Sequence, residues 1–398
     1  MIAHRVRLRY SQARAHAMIA AVIGCASVVV FVGLGPTNRT VFGPLKWADF
    51  IYFYTLGDIA RTRSSSVLFD FDARQARQTA LVPESAENRF IPVYGPQAAL
   101  IFAPFSLLPY FTAGVMWALF TVAVYAWAVW IAWRPARVAL PDRTFVFAAA
   151  FGFPPFWQLL LHGQNTALVL AAFAGAWWAL EAGCPVFAGM VLSLLTIKPQ
   201  FGFVLAPVAL IAGEWRLISG VVIGVAIQAA AVLAVFDASV FRTYAVMASH
   251  LPAFADALEP HAYKMHSLRA LTHLLPEPAD AWLWGALAIA ISAATAWIWR
   301  RTPSWRLRFG ALVLASVLVN PHVTIYDATV LALAFVWLGG WLLEQQVETT
   351  WYWQRVYWIS MAFLLPTAAV VPVQLSPVLI AELFAKTVRA VRQRVAVA

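Results

Sequence analysis

Three groups of residues could carry chemistry in a chain that is otherwise mostly apolar. The first is Asp49, set in Trp47-Ala48-Asp49-Phe50-Ile51-Tyr52-Phe53-Tyr54. A carboxylate in an apolar pocket holds a proton more readily and can act as a general base, while rings such as Tyr52 and Tyr54 pack against a sugar or a polyprenyl chain. The same composition equally describes an aromatic belt at a membrane interface beside a solvated Asp. The second is Lys198, which ends an apolar run at Pro199, with Gln164 and Asn165 between two further runs. Ionisable groups at membrane depth are costly, so they line a cavity or pair with something; an ammonium there could neutralise a phosphate or snorkel to the interface. The third is His322 with Asp327, where an imidazole could hydrogen-bond a phosphate or hydroxyl, or serve structure alone.

No metal centre is assigned. Asp70-Phe71-Asp72 is the kind of pair that binds a divalent cation, but two carboxylates one residue apart are common by chance. Residues 237–280 carry His250, Glu259, His261, Lys264, His266, Arg269 and His273, a mixed set suited to an anionic headgroup or acceptor. Their irregular spacing argues against a preformed metal site. Cys25 and Cys184 match no ligand spacing, and no nucleotide-binding glycine loop occurs. No cofactor is expected, a divalent cation at Asp70 and Asp72 being the open alternative.

The elements that must position these residues lie in a bilayer. Of 398 residues, 62% are hydrophobic and only 12% charged, whereas soluble domains run near about a quarter charged. That excludes a soluble globular protein and reads as an all-α polytopic membrane protein. The 28 Lys and Arg outnumber the 18 Asp and Glu by 10 and are grouped between apolar runs, a positive-inside pattern and not a nucleic-acid-binding face. Residues 15–38 carry no charge and follow Arg5, Arg7, Arg9 and Arg14, so the N-terminus is expected in the cytoplasm. Val22-Ile23-Gly24-Cys25 resembles a lipoprotein cleavage box, yet the apolar run continues past Cys25, which favours an uncleaved first helix.

Residues 39–97 form the longest polar stretch, expected outside as a first extracytoplasmic loop, and 237–280 form a second outer segment. From Ala98 to Trp133 no charge occurs. As one helix that run of about 36 residues would span about 54 Å, well beyond a ~30 Å hydrocarbon core, so it must break near Pro104 to Pro109. Arg134, Arg137 and Arg143 favour a cytoplasmic end for it. About ten to twelve crossings place His162-Gly163-Gln164-Asn165, Lys198-Pro199-Gln200 and Asn320-Pro321-His322 outside, and Arg216 and Arg300-Arg301-Arg306-Arg308 inside. Lys386, Arg389, Arg392 and Arg394 fit only if a short last crossing lies near 374–385 or the tail is an interfacial helix. Residues 1–398 are read as one integral domain of the cell (inner) membrane.

In order along the chain, the residues resemble a known family. They are Asp49 with Tyr52 and Tyr54, Leu68-Phe69-Asp70, Tyr94-Gly95-Pro96, Ala103-Pro104 to Leu108-Pro109, Gly163-Gln164-Asn165, Ala188-Gly189, Ile197-Lys198-Pro199, Asn320-Pro321-His322 and Tyr326-Asp327. Together they resemble glycosyltransferase family 87 over about residues 49–327. The resemblance implies a GT-C fold, a polyprenyl-phosphate hexose donor, mannose in that family, and an extracytoplasmic active site. It also implies inverting transfer with Asp49 as the base. Phe69 stands where a Tyr is usual before Asp70, and the Asn-Pro-His motif lacks a second His, which leaves donor sugar and acceptor open.

Such a transfer needs a base for the acceptor hydroxyl and cations or donors for the departing phosphate. Asp49 is expected as the first, and Lys198 and His322 as the second, facing each other across an outward cavity. Tyr52, Tyr54, Tyr94, Gln164, Asn165, Asn320, Tyr326 and Asp327 are expected to line it. Should Lys198 be an interfacial anchor, the phosphate site falls to Arg61, Arg63, Lys264 or Arg269. The expected partners are the lipid-phosphate donor, a lipid-linked or glycan acceptor, and membrane lipids, with no nucleic acid. The rival reading is a transporter or flippase of a lipid-linked or anionic substrate; carboxylates and aromatics concentrated in 39–97 and the lack of a clear internal repeat speak against it.

Overall fold

The computed structural model describes residues 9–254, 264–346, 348–364 and 373–395. Glu259 and His261 of the second polar segment, and Arg5 and Arg7 of the basic N-terminus, lie outside the described residues. With no water in a hydrocarbon core, each segment must satisfy its own backbone N–H and C=O groups, and helices do so. Among the described residues the only β feature is an isolated bridge between Arg39 and Leu45.

Leaving aside single turns, the helices of the first half are α1 (Tyr10–Gly33), α2 (Phe50–Thr62), α3 (Phe71–Leu81), α4 (Pro96–Phe102), α5 (Tyr110–Trp133), α6 (Arg143–Phe151), α7 (Pro154–His162) and α8 (Thr166–Glu181). Those of the second half are α9 (Pro185–Leu192), α10 (Gly202–Ala212), α11 (Trp215–Leu233), α12 (Ser239–His250), α13 (Ala279–Arg301), α14 (Trp305–Val319), α15 (Leu331–Glu344), α16 (Thr350–Ala362) and α17 (Leu375–Val395). The charge-free run from Ala98 breaks between α4 and α5, where Pro104 and Pro109 lie, as its length required.

Contacts between residues far apart in sequence sort the helix ends into two groups. At one end, Tyr110 Oη donates to the carbonyls of Lys46 and Trp47, Ser65 bonds Asp237, and His266 Nδ1 lies 2.7 Å from Ser376 Oγ. At the other, Tyr10 bonds Asp142, Arg308 bonds Glu214 and Arg306 holds Glu344 through both its Nη atoms. The basic C-terminal stretch resolves accordingly: α17 starts beside His266 and carries Arg392 to within 5.7 Å of the Trp297 ring, near the end of α13. Lys386, Arg389 and Arg392 therefore lie in the half of α17 nearer the end that holds Arg300 and Arg301.

Among the described residues five helical stretches are long and apolar enough to cross a membrane: Tyr10–Gly33, Tyr110–Ala136, Trp215–Leu233, Ala279–Arg301 and Ile325–Glu344. The pair α6 and α7, bent by 52° at Gly152 and Phe153, makes a sixth if taken as one span. Ten to twelve crossings exceed that number; the shorter apolar stretches Thr166–Glu181, Pro185–Ile197 and Pro199–Ala212 are each only 10–17 residues long, short of the ~20 that a helix needs to cross a hydrocarbon core.

Burial separates centre from rim. In Ile325–Glu344, 83% of the apolar window is covered by protein, against 6% in α1, so α15 with α14 forms the centre and α1 a lipid-facing edge. In lipid, helices gain little from apolar contact alone and associate through close backbone approach at small residues. α9 and α11 do this: a Cβ on Gly189 would lie 2.0 Å from the Leu217 carbonyl oxygen, and one on Gly220 2.0 Å from that of Val186.

Candidate active site

Gly163 ends α7 with φ +70°, a conformation other residues rarely adopt, and a Cβ there would meet the Phe50 Cβ at 2.7 Å and the Trp47 Cβ at 3.0 Å. That close approach brings the end of α7 onto the start of α2. The Asp49 N–H donates to the His162 carbonyl at 3.1 Å, and His162 Nδ1 lies 3.7 Å from Asp49 Oδ2. Gln164 follows: its Nε2 donates to Asp49 Oδ2 at 2.9 Å, and its carbonyl accepts the Trp117 indole N–H of α5 at 3.3 Å.

Beneath Gln164 lies an ion pair. Lys198 sits in the non-helical link before Pro199, and its Nζ donates to Asp327 Oδ1 at 2.6 Å, Thr166 Oγ1 at 3.0 Å and Gln164 Oε1 at 3.4 Å. The Tyr326 ring centre is 5.2 Å from the ammonium. Asp327 is itself pinned, accepting from Thr166 Oγ1 at 2.7 Å and from Thr324 Oγ1 at 3.2 Å. An ammonium has three N–H donors, and all three are used. The Lys198 and Asp327 side chains are 4% and 2% exposed, whereas Asp49 keeps 22% and His162 44%.

This corrects the expectation for Lys198. It is not an unpaired cation facing an outward cavity opposite His322; it is a saturated, buried member of an ion pair. Other expected lining residues also turn inward. Tyr54 Oη donates to the Leu108 carbonyl at 2.8 Å and acts as a strut between α2 and the link preceding α5. Asn165 and Asn320 are wholly buried, and Asn320 Oδ1 accepts the His322 N–H at 3.0 Å. His322 and Tyr326 are partly buried beside this layer.

Tyr52 and Tyr94 form a second wall, with ring centres 5.4 Å apart. The Arg74 guanidinium of α3 lies 4.6 Å from the Tyr52 ring centre and donates to the Phe90 carbonyl. Arg74 is buried, and no carboxylate among the described residues forms an ion pair with it. Burial pushes the Tyr52 phenol up and the Arg74 guanidinium down from their usual values. The Tyr94 phenol rises well above its ordinary range, first through burial and then through Tyr326, Asp327, Tyr52 and Asp49.

The remaining polar groups are used locally. Asp70 caps α3 by accepting from the Ala73 N–H at 2.8 Å, and among the described residues no group of three His, Cys, Asp or Glu is placed to hold a metal ion. Arg61 and Arg77 share the buried Asp58, and Arg269 and His273 both reach Asp280, at 3.1 and 3.5 Å. The sequence places His162, Asp58 and Arg74 on the outer side, but reading it did not single out these three or Thr166 as parts of the site. Only His162 carried a local signal, since it precedes the glycine that forces the chain against α2.

The fold and site define a polytopic membrane protein with a carboxylate-centred polar cluster at one end of its bundle. A model of glycosyltransferase family 87 matches residues 92–321, more than half of the chain. The chain belongs to that family and is a membrane glycosyltransferase, which sets aside the transporter or flippase reading. No curated protein and no solved structure gives a match. The matched residues include Tyr94, Gln164, Asn165, Lys198 and Asn320; Asp49, Tyr52, Tyr54, His322, Tyr326 and Asp327 lie outside them.

Proposed function

We propose that this glycosyltransferase moves a hexose, mannose in the first instance, from a polyprenyl-phosphate sugar to a lipid-linked or glycan acceptor on the extracytoplasmic side. Asp49 is the base. It takes the proton of the acceptor hydroxyl as that oxygen attacks the anomeric carbon; the bond from that carbon to the phosphate oxygen breaks, and polyprenyl phosphate leaves with the electron pair. Attack from the face opposite the leaving group inverts the anomeric centre. The observation that carries this reading is that Asp49 is held by Gln164 through one oxygen and remains partly exposed, while the neighbouring Lys198 and Asp327 are enclosed.

Lys198 acts indirectly, through Gln164. For the donor phosphate, His322 keeps its proposed role at the rim, and Arg74 adds the positive potential of a buried guanidinium that no carboxylate offsets among the described residues. Purified chain in nanodiscs should transfer mannose from polyprenyl-phosphate mannose with inversion, read by NMR of the product. Transfer from a nucleotide sugar without any lipid donor, or retention of configuration, would overturn the reading.

A further inference from the structure

We infer that a groove at the end of the bundle away from Asp49 binds the phosphate headgroup of an anionic phospholipid in the adjoining leaflet. The groove encloses about 490 Å³, and Trp130, Arg134, Arg137, Val138, Trp178 and Glu181 are among its walls. Its depth in the bilayer follows from α5. That helix starts at Tyr110, whose hydroxyl bonds the Trp47 carbonyl beside Asp49, and runs 24 residues to Trp133 just before the groove. At 1.5 Å per residue this is about 36 Å, the full thickness of a hydrocarbon core, so the groove opens at headgroup level on the opposite surface.

Charge names the ligand. At this end Arg306 is committed to Glu344 and Arg308 to Glu214. Arg134 and Arg137 have no carboxylate partner among the described residues, and both are exposed. The Arg134 guanidinium lies 5.5 Å from the Trp130 ring centre, which orients its plane and leaves N–H groups for a ligand. The one acid in the wall, Glu181, faces Arg306 and Glu344 electrostatically. Two guanidiniums match the oxygens of one phosphodiester. The walls beside them are apolar and open to lipid, with Trp178 52%, Trp130 43% and Val138 89% exposed. That surface suits glycerol and acyl carbons and gives nothing to free phosphate. A choline headgroup would bring a third cation to two that are already uncompensated, so an anionic headgroup is favoured over a zwitterionic one.

The test is native mass spectrometry of the full chain in detergent with an equimolar mixture of dioleoyl phosphatidylglycerol and dioleoyl phosphatidylcholine. The wild type should retain phosphatidylglycerol about tenfold over phosphatidylcholine. Arg134→Gln/Arg137→Gln should lose that preference, Arg134→Lys/Arg137→Lys should keep most of it, and Arg300→Gln/Arg301→Gln, an equal loss of charge outside the groove, should keep all of it. If the double Gln variant does not fold, Arg137→Gln alone, at an exposed position, should show an intermediate loss. Equal retention of the two lipids by the wild type, an unchanged preference in the groove Gln variants, or an equal loss in Arg300→Gln/Arg301→Gln would each overturn the inference.

Discussion

Lys198 and Asp327 meet at 2.6 Å in the protein interior although 129 residues separate them in the chain. Their contact decides the orientation of a third group. An ammonium can only donate, so the Gln164 side chain must turn its Oε1 toward Lys198, and its Nε2 is then the atom left to face Asp49. The buried pair thus presents a hydrogen-bond donor to the carboxylate at the surface.

Asp49→Asn should lower turnover by roughly 10²–10⁴-fold while leaving the protein folded. The amide is nearly isosteric and still accepts a bond from Gln164, but it takes no proton at neutral pH. Transfer assays on variant and wild type at equal folded concentration check this. Near-normal turnover would move the base to another group.

Lys198→Met should destabilise the protein by about 3–5 kcal/mol, because it leaves Asp327 buried without its partner. Removing both charges in Lys198→Met/Asp327→Leu should recover much of that loss, since the uncompensated carboxylate goes too. Activity should not return with stability, because Gln164 is then free to flip. Thermal unfolding in detergent, read beside turnover, separates the two effects; a double variant no more stable than the single would show that the pair does not carry the stability.

His266 predicts a pH dependence of stability. Burial lowers its pKa to about 4 from an ordinary value of 6.5, and its ring faces Ser376 Oγ and Phe363. The folded state therefore holds the neutral imidazole, and the unfolded state binds the extra proton. The stabilisation is complete above pH 6.5 and declines as pH falls toward about 4, by roughly 3 kcal/mol for this group. Thermal melts between those limits should show the decline, and His266→Gln should flatten it. A variant with the same slope as the wild type would assign the decline to other groups.

Residue 87, exposed in the turn between α3 and α4, should react from the extracytoplasmic side alone. With Cys25 and Cys184 replaced by Ser, Glu87→Cys in intact cells should be labelled by an impermeant maleimide. Labelling only after the membrane is opened would invert the orientation and the placement of Asp49 with it.

Much of the architecture was legible because its signals are local. The charge-free run from Ala98 was too long for one crossing, and it breaks between α4 and α5. Asp49, Gln164, Lys198 and Asp327 stood out as polar residues in apolar surroundings, and the structure brings them together. What could not be read was pairing across distance. Lys198 next to Pro199 looks the same whether it awaits a phosphate or already holds Asp327, and nothing near either residue marks the other. Arg74 was passed over for a similar reason. In sequence it belongs to an ordinary polar helix, and only the fold of α3 against α2 buries it behind Tyr52.

The helix α5 touches Gln164 through Trp117 near its beginning and carries Trp130 into the far groove near its end. Its apolar length is therefore a ruler between two polar layers, and at about 36 Å it slightly exceeds a ~30 Å core. Where a thinner bilayer is met by tilting that ruler, the Trp117 indole is carried away from the Gln164 carbonyl and the hold on Asp49 loosens. Acyl-chain length in the surrounding membrane should for that reason register as a change in transfer rate, with an optimum where the helix stands at the angle that keeps Gln164 in place.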